Sequence, residues 1–145
     1  MKILVIHGPN LNQLGQRDNA IYGSLTMNEI NSKLKDKAKT LSTELDIFQS
    51  NSEGDIIDCI QSTNANGIII NPGALTHYGL SLMDALSDAE LPIIEVHLSN
   101  IHAREDWRKK SVIAPVSIGQ IAGFGYRSYL SALDLMVDVL SEENS

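Results

Sequence analysis

The run Ile93-Ile94-Glu95-Val96-His97 places a carboxylate and an imidazole two positions apart within an otherwise apolar stretch. Side chains alternate across a strand, so Glu95 and His97 share one face of it. A carboxylate in a buried strand is costly unless paired, and the imidazole is its natural partner. Such a pair fixes the tautomer and raises the basicity of the ring, which suits an acid catalyst that holds a proton near neutral pH. A purely structural buried pair fits the same spacing. A second constellation is Gly15-Gln16-Arg17 followed by Ile21-Tyr22-Gly23. A free tyrosine titrates near pH ~10, and bringing it to about 7 requires roughly 4 kcal/mol of differential stabilisation. A nearby arginine favours the phenolate, so Arg17 could make Tyr22 a base. Spacing alone favours the blander reading, in which the tyrosine ring packs over the sheet rim beside a solvated arginine.

Asn71, in Asn71-Pro72-Gly73-Ala74, can orient a ligand carbonyl or hydroxyl, or simply cap a turn. Leu98-Ser99-Asn100 offers backbone N–H groups and a hydroxyl, a cradle for a carboxylate. Arg104 and Arg108 would share a face if helical. They are either partners of Glu105 and Asp106 or a source of positive charge for an anionic ligand.

The elements that must position these groups alternate in type. Ile3–Ile6 reads as a buried strand ending at Gly8-Pro9. Residues 8–24 form a polar, aperiodic segment long enough to suspect a functional lid. Thr26 and Glu29 have capping-box spacing, and a helical period follows to about residue 44. Leu45–Gln49 is a second strand, Asp55–Thr63 a helix, Gly67–Asn71 a third strand and Tyr78–Ala89 a helix. Pro92–His97 is a fourth strand, residues 98–115 are polar and basic with room for one short helix, and Ile118–Ala122 is a fifth strand. Tyr126–Leu140 is a final helix, with fraying expected over residues 142–145. Such alternation predicts an α/β fold with one parallel sheet between two helical layers. The expected form is a flavodoxin-like three-layer sandwich with five strands in the order 2-1-3-4-5. Ligands of such sheets sit beyond the carboxyl ends of the strands. That rule selects the loops 8–24, 71–78 and 97–108, which hold His77, His97 and His102, three of the four histidines.

With 145 residues, 43% hydrophobic and 20% charged, the chain reads as one globular domain. Eighteen acidic against eleven basic residues give a net charge of −7, which disfavours a nucleic-acid partner. The single cysteine, Cys59, rules out an internal disulfide and a cysteine-only zinc site. The N-terminal apolar run is too short for a signal peptide, and no stretch approaches the roughly 18 apolar residues of a membrane span. A soluble, cytoplasmic protein is expected.

Gly8-Pro9-Asn10-Leu11-Asn12, Leu14-Gly15-Gln16-Arg17, Ile21-Tyr22-Gly23 and Gln49-Ser50-Asn51-Ser52-Glu53-Gly54 form an ordered set with Ile69-Ile70-Asn71-Pro72-Gly73-Ala74 and Thr76-His77. The set continues through Glu95–Glu105, Ala114-Pro115-Val116 and Gly119–Gly125. It resembles the type II 3-dehydroquinate dehydratases of the shikimate/quinate pathway from residue 2 to about residue 140. The resemblance implies trans dehydration of 3-dehydroquinate to 3-dehydroshikimate through an enolate, with no metal and no organic cofactor. Tyr22 matches the base that removes a proton next to the ketone, and Arg17 the residue that keeps this tyrosine ionised. Asn10 matches a position that holds a water for the enolate. His97 matches the acid that protonates the departing hydroxyl, with Glu95 orienting it. Asn71, His77, Leu98, Ser99 and Arg108 match substrate-binding positions, and Asp84 a carboxylate that reaches a neighbouring subunit's site. A homododecamer, a tetramer of trimers, is implied. The sequence departs from the pattern at Asp18-Asn19, where Glu-Pro is common, at Ser52, where histidine is frequent, and at Tyr78-Gly79-Leu80.

Other functions of the same fold are a binding or signalling domain without this chemistry. A phospho-acceptor receiver needs an aspartate at the end of the third strand and an acidic pair after the first, where this chain has Asn71 and His7-Gly8. A flavin or nucleotide carrier needs a glycine-rich phosphate loop after the first strand, where Pro9 removes an amide donor. A metal hydrolase would use His77, His97, His102 and Glu95.

Overall fold

The computed structural model describes residues 1–144. Five strands, β1 (Lys2–His7), β2 (Glu44–Gln49), β3 (Gly67–Asn71), β4 (Ile93–His97) and β5 (Gly119–Ala122), form one parallel sheet ordered β2-β1-β3-β4-β5. This is the flavodoxin-like arrangement expected from the alternation of strands and helices. β1, β3 and β4 are apolar on both faces because both faces are covered. On one side Ile3, Val5, Ile69 and Val96 pack against Ile30 and Leu34 of α2 (Met27–Thr40) and Tyr129, Leu133 and Met136 of α5 (Arg127–Glu143). On the other, Leu4, Ile6, Ile68, Ile70 and Ile93 pack against Ile56 and Ile60 of α3 (Glu53–Ser62) and Leu82 and Leu86 of α4 (Leu80–Ala89).

Local chemistry sets the helix ends. Thr26 and Glu29 make the reciprocal capping box at the start of α2. The helix stops at Thr40, short of the expected residue 44, because Ser42 takes a left-handed conformation at φ 53°. Ser52 caps α3, accepting from the Asp55 N–H at 3.2 Å, so a serine at this departing position has a structural role. Gly79 precedes α4 with no side-chain cap of its own; instead a carboxylate oxygen of Glu53 accepts the Leu82 N–H at 3.1 Å. A Cβ at Gly79 would lie 2.8 Å from the Leu75 carbonyl oxygen, which explains the glycine.

The segment 8–24 is not featureless. It holds a 3-10 turn at Leu11–Gln13 and the short helix α1 (Asn19–Tyr22), which is capped by Asp18 through the Ala20 N–H at 3.0 Å. Residues 98–115 form three 3-10 turns, Ile101–Ala103, Asp106–Arg108 and Ala114–Val116, where one short helix was expected. Arg104 and Arg108 therefore do not share a helix face. α5 continues to Glu143, through part of the region where fraying was expected, and Ser145 lies outside the described residues. Among the described residues no helix is long and apolar enough to cross a membrane.

Candidate active site

The carboxyl ends of β1, β3 and β4 open into a single cleft. Close approach of two strand exits shapes its floor: the Gly8 N–H donates to the Asn71 carbonyl at 2.8 Å, and a Cβ on Gly8 would lie 2.5 Å from the Pro72 carbonyl oxygen. The segment 8–24 supplies Asn10, Arg17 and Tyr22 to the cleft, and the β3 exit supplies Asn71 and His77. The β4 exit and the loop beyond it supply His97, Leu98, Ser99, Arg104 and Arg108. Every residue matched to a catalytic or binding role thus lines the cleft except Glu95, which lies behind His97, and Asp84, which is exposed on α4; Asn100 and His102, also singled out from the sequence, are exposed and do not line it.

Glu95 is wholly buried, and all of its oxygens are engaged. One accepts from His97 Nε2 at 2.5 Å, Thr76 Oγ1 at 2.6 Å and Gln120 Nε2 at 2.9 Å; the other accepts from Ser111 Oγ at 2.7 Å. Burial pushes the carboxyl up, but the His97 hydrogen bond and charge, with those of Thr76 and Ser111, outweigh it and hold Glu95 below the ordinary carboxylate value. Ser111 is itself fixed by the Ile113 and Ala114 N–H groups at 3.0 and 2.9 Å. His97 is thereby locked with Nε2 toward Glu95, and Nδ1 is the nitrogen left for another partner.

Tyr22 meets two cations in different ways. Arg17 lies over its ring face, with Cζ 3.8 Å from the centroid. Arg104 makes the contact with the hydroxyl: its Nη2 donates to Tyr22 Oη at 3.0 Å, while Nη1 donates to Ser99 Oγ at 3.1 Å. Ser99 accepts in that bond and keeps its own proton to donate. Among the described residues the buried Nε of Arg104 has no hydrogen-bond partner, leaving a donor for a ligand.

His77 and Arg108, which line the remaining wall, both pack on the exposed ring of Trp107. The His77 ring meets it edge-on at 5.1 Å, and the Arg108 guanidinium lies 4.0 Å over it. Arg108 also donates to Glu105 at 2.6 Å. Burial lowers the His77 pKa, opposed by its bond to the Lys110 carbonyl at 2.8 Å. The ring is therefore neutral at pH ~7, with Nδ1–H donating and Nε2 able to accept. Asn10 stands in a left-handed conformation at φ 70°, its N–H donating to Asn51 Oδ1 at 2.9 Å.

The sequence pattern did not reveal the Arg104 contact with Tyr22, nor the roles of Thr76, Ser111 and Gln120. Nothing local marks them: they lie 82, 19, 16 and 25 residues from their partners. Among the described residues no group of three or more His, Cys, Asp or Glu side chains is placed to hold a metal ion.

Comparison with known proteins points the same way. The sequence profile of the family described as dehydroquinase class II matches residues 1–137. The chain is 58% identical to a 3-dehydroquinate dehydratase of Roseiflexus castenholzii, covering 94% of this chain and 88% of that one. It is 51% identical to a 3-dehydroquinate dehydratase of Halothermothrix orenii, covering 97% of both. It superposes on the crystal structure of a type II dehydroquinase from Butyrivibrio crossotus with a TM-score of 0.92 and 45% identity, covering 94% of this chain and 97% of that one.

Proposed function

The chain belongs to the class II dehydroquinase family and its reaction is the dehydration of 3-dehydroquinate, for which we propose that Tyr22 is the base and His97 the acid. Tyr22, as phenolate, takes the proton next to the substrate ketone. Electrons move into the carbonyl to give an enolate, then return to expel the hydroxyl on the other side of the new double bond. His97 protonates that leaving group, so water and the conjugated enone 3-dehydroshikimate are the products. The observation that carries this reading is the Arg104 N–H on the Tyr22 oxygen at 3.0 Å, in the same cleft as an imidazole held by a buried carboxylate. A guanidinium donor favours an oxygen that bears charge, and Arg17 over the ring adds a second positive charge.

With His97 Nε2–H committed to Glu95, the Nδ1 proton is the one delivered to the leaving hydroxyl. Asn10 holds a water against the enolate oxygen, a donor aimed in advance at developing charge. Leu98 and Ser99 receive the substrate carboxylate, Arg108 and Arg104 Nε supply positive charge, and Asn71 and His77 Nε2 bind hydroxyl groups. The segment 8–24 acts as a lid over this single catalytic domain. Asp84, exposed on α4 and away from its own cleft, reaches the cleft of a neighbouring subunit. The exposed apolar side chains of Tyr78 and Leu80, just before it, support a trimer that assembles into a dodecamer. The protein works in the cytoplasm, on a small molecule supplied by the shikimate pathway. Adding 3-dehydroquinate to the pure protein tests the reading: ultraviolet absorbance of a conjugated enone should appear, and its absence would refute it.

A further inference from the structure

One buried titratable group has no part in this chemistry. His7 ends β1, is wholly buried, and pairs in register with Asn71 of β3, so the two side chains lie side by side on the face covered by α2 and α5. Above them stands Tyr129 of α5, also wholly buried. Tyr129 Oη lies 2.8 Å from His7 Nδ1, and His7 Nε2 lies 2.8 Å from Asn31 Oδ1. Asn31 Oδ1 can only accept, so Nε2 carries the ring proton and Nδ1 accepts from the Tyr129 hydroxyl. Asn71, beside His7 in register, turns its amide toward the Tyr129 oxygen, where it favours charge on that oxygen; with its proton committed to His7, that oxygen presents only lone pairs to Asn71. Asn71 Oδ1 accepts the Gly73 N–H at 3.1 Å. Burial brings His7 down to about 4, which keeps the ring neutral and Nδ1 able to accept near neutral pH.

We propose that Tyr129 and His7 are positioning residues for substrate binding: the hydrogen-bonded series Tyr129–His7–Asn31 aims the lone pairs of the Tyr129 oxygen at Asn71 and so fixes the orientation of its amide, with an N–H facing the cleft. The amide oxygen is held by the Gly73 N–H at 3.1 Å, and the Tyr129 lone pairs favour the same orientation by facing its nitrogen. Without the Tyr129 hydroxyl only the Gly73 N–H remains to orient the amide, which then presents its oxygen as well as its nitrogen to the substrate. The proposal rests on the reading of Asn71 as a substrate-binding residue.

Steady-state kinetics with 3-dehydroquinate tests it. Loss of binding that is the same in ground and transition states raises KM and spares kcat. Tyr129→Phe should raise KM about tenfold, the scale of one lost oriented hydrogen bond, with kcat little changed. In an Asn71→Ala background the same change should have no further effect on KM. His7→Leu should behave like Tyr129→Phe. His7→Asn, whose amide oxygen can occupy the place of Nδ1 and accept from Tyr129, should restore the wild-type KM. If Tyr129→Phe does not fold, the two His7 variants decide the matter by themselves. Equal KM for His7→Leu and His7→Asn, or a Tyr129→Phe effect that adds fully to Asn71→Ala, overturns the proposal while leaving Asn71 in its role. An unchanged KM in Asn71→Ala alone instead removes the reading of Asn71, and the proposal with it.

Discussion

Arg104 changes what the cation beside Tyr22 means. The spacing of Arg17 and Tyr22 was readable from the sequence, and the two do meet, but over the ring face; the hydroxyl belongs to an arginine 82 residues away. No local pattern encodes a contact that only the sheet order creates. The Glu95–His97 pair was legible because two residues on one strand must share a face, whereas the three other donors to Glu95 arrive from separate loops. Arg104→Met removes the donor to the tyrosine oxygen while keeping the side-chain stem, and should lower kcat by on the order of 10²-fold. A kcat within a few fold of wild type would assign the tyrosine to Arg17 alone. His7 sets a dependence of stability on pH. In the folded chain it titrates at about 4, against about 6.5 unfolded. Above the unfolded value both states are neutral and nothing changes. As pH falls from there toward the folded value only the unfolded chain takes up the proton, so stability is lost, in all about 3 kcal/mol. Denaturant titrations of wild type and His7→Asn should diverge over that window, with the variant less acid-sensitive; parallel curves would show that His7 does not titrate as described.

Helices with a clear apolar period and a polar start were legible as elements, with α2 and its capping box the plainest case. The segments beyond β4 were not, because three-residue 3-10 turns carry no period to read. The start of α4 was also hidden: its capping acceptor comes from Glu53 on α3, 29 residues away. Glu53→Ala leaves the Leu82 N–H without that partner and should cost about 1 kcal/mol, the usual scale for a lost cap. Thermal unfolding should then shift down by a few degrees with kcat unchanged, and an unchanged midpoint would show that the contact contributes nothing.

For the molecule as a whole, alternating strands and helices were enough to reach the sheet order, and the sheet order places the cleft at the strand ends. Asp84 is exposed on α4, outside the cleft of its own chain. If it completes a neighbour's cleft, Asp84→Ala should raise KM, and mixing it with an otherwise intact but His97→Ala chain should restore part of the activity through mixed trimers; no recovery after subunit exchange would contradict the shared site. The central claim, that a tyrosine oxygen removes the proton, is tested most directly by Tyr22→Phe. Trp107, the only tryptophan, packs on His77 and Arg108, which line the cleft, so its fluorescence can confirm that the variant still binds 3-dehydroquinate. With binding retained, enone formation should fall on the order of 10³-fold relative to wild type; turnover within a few fold of wild type would contradict the role given to Tyr22.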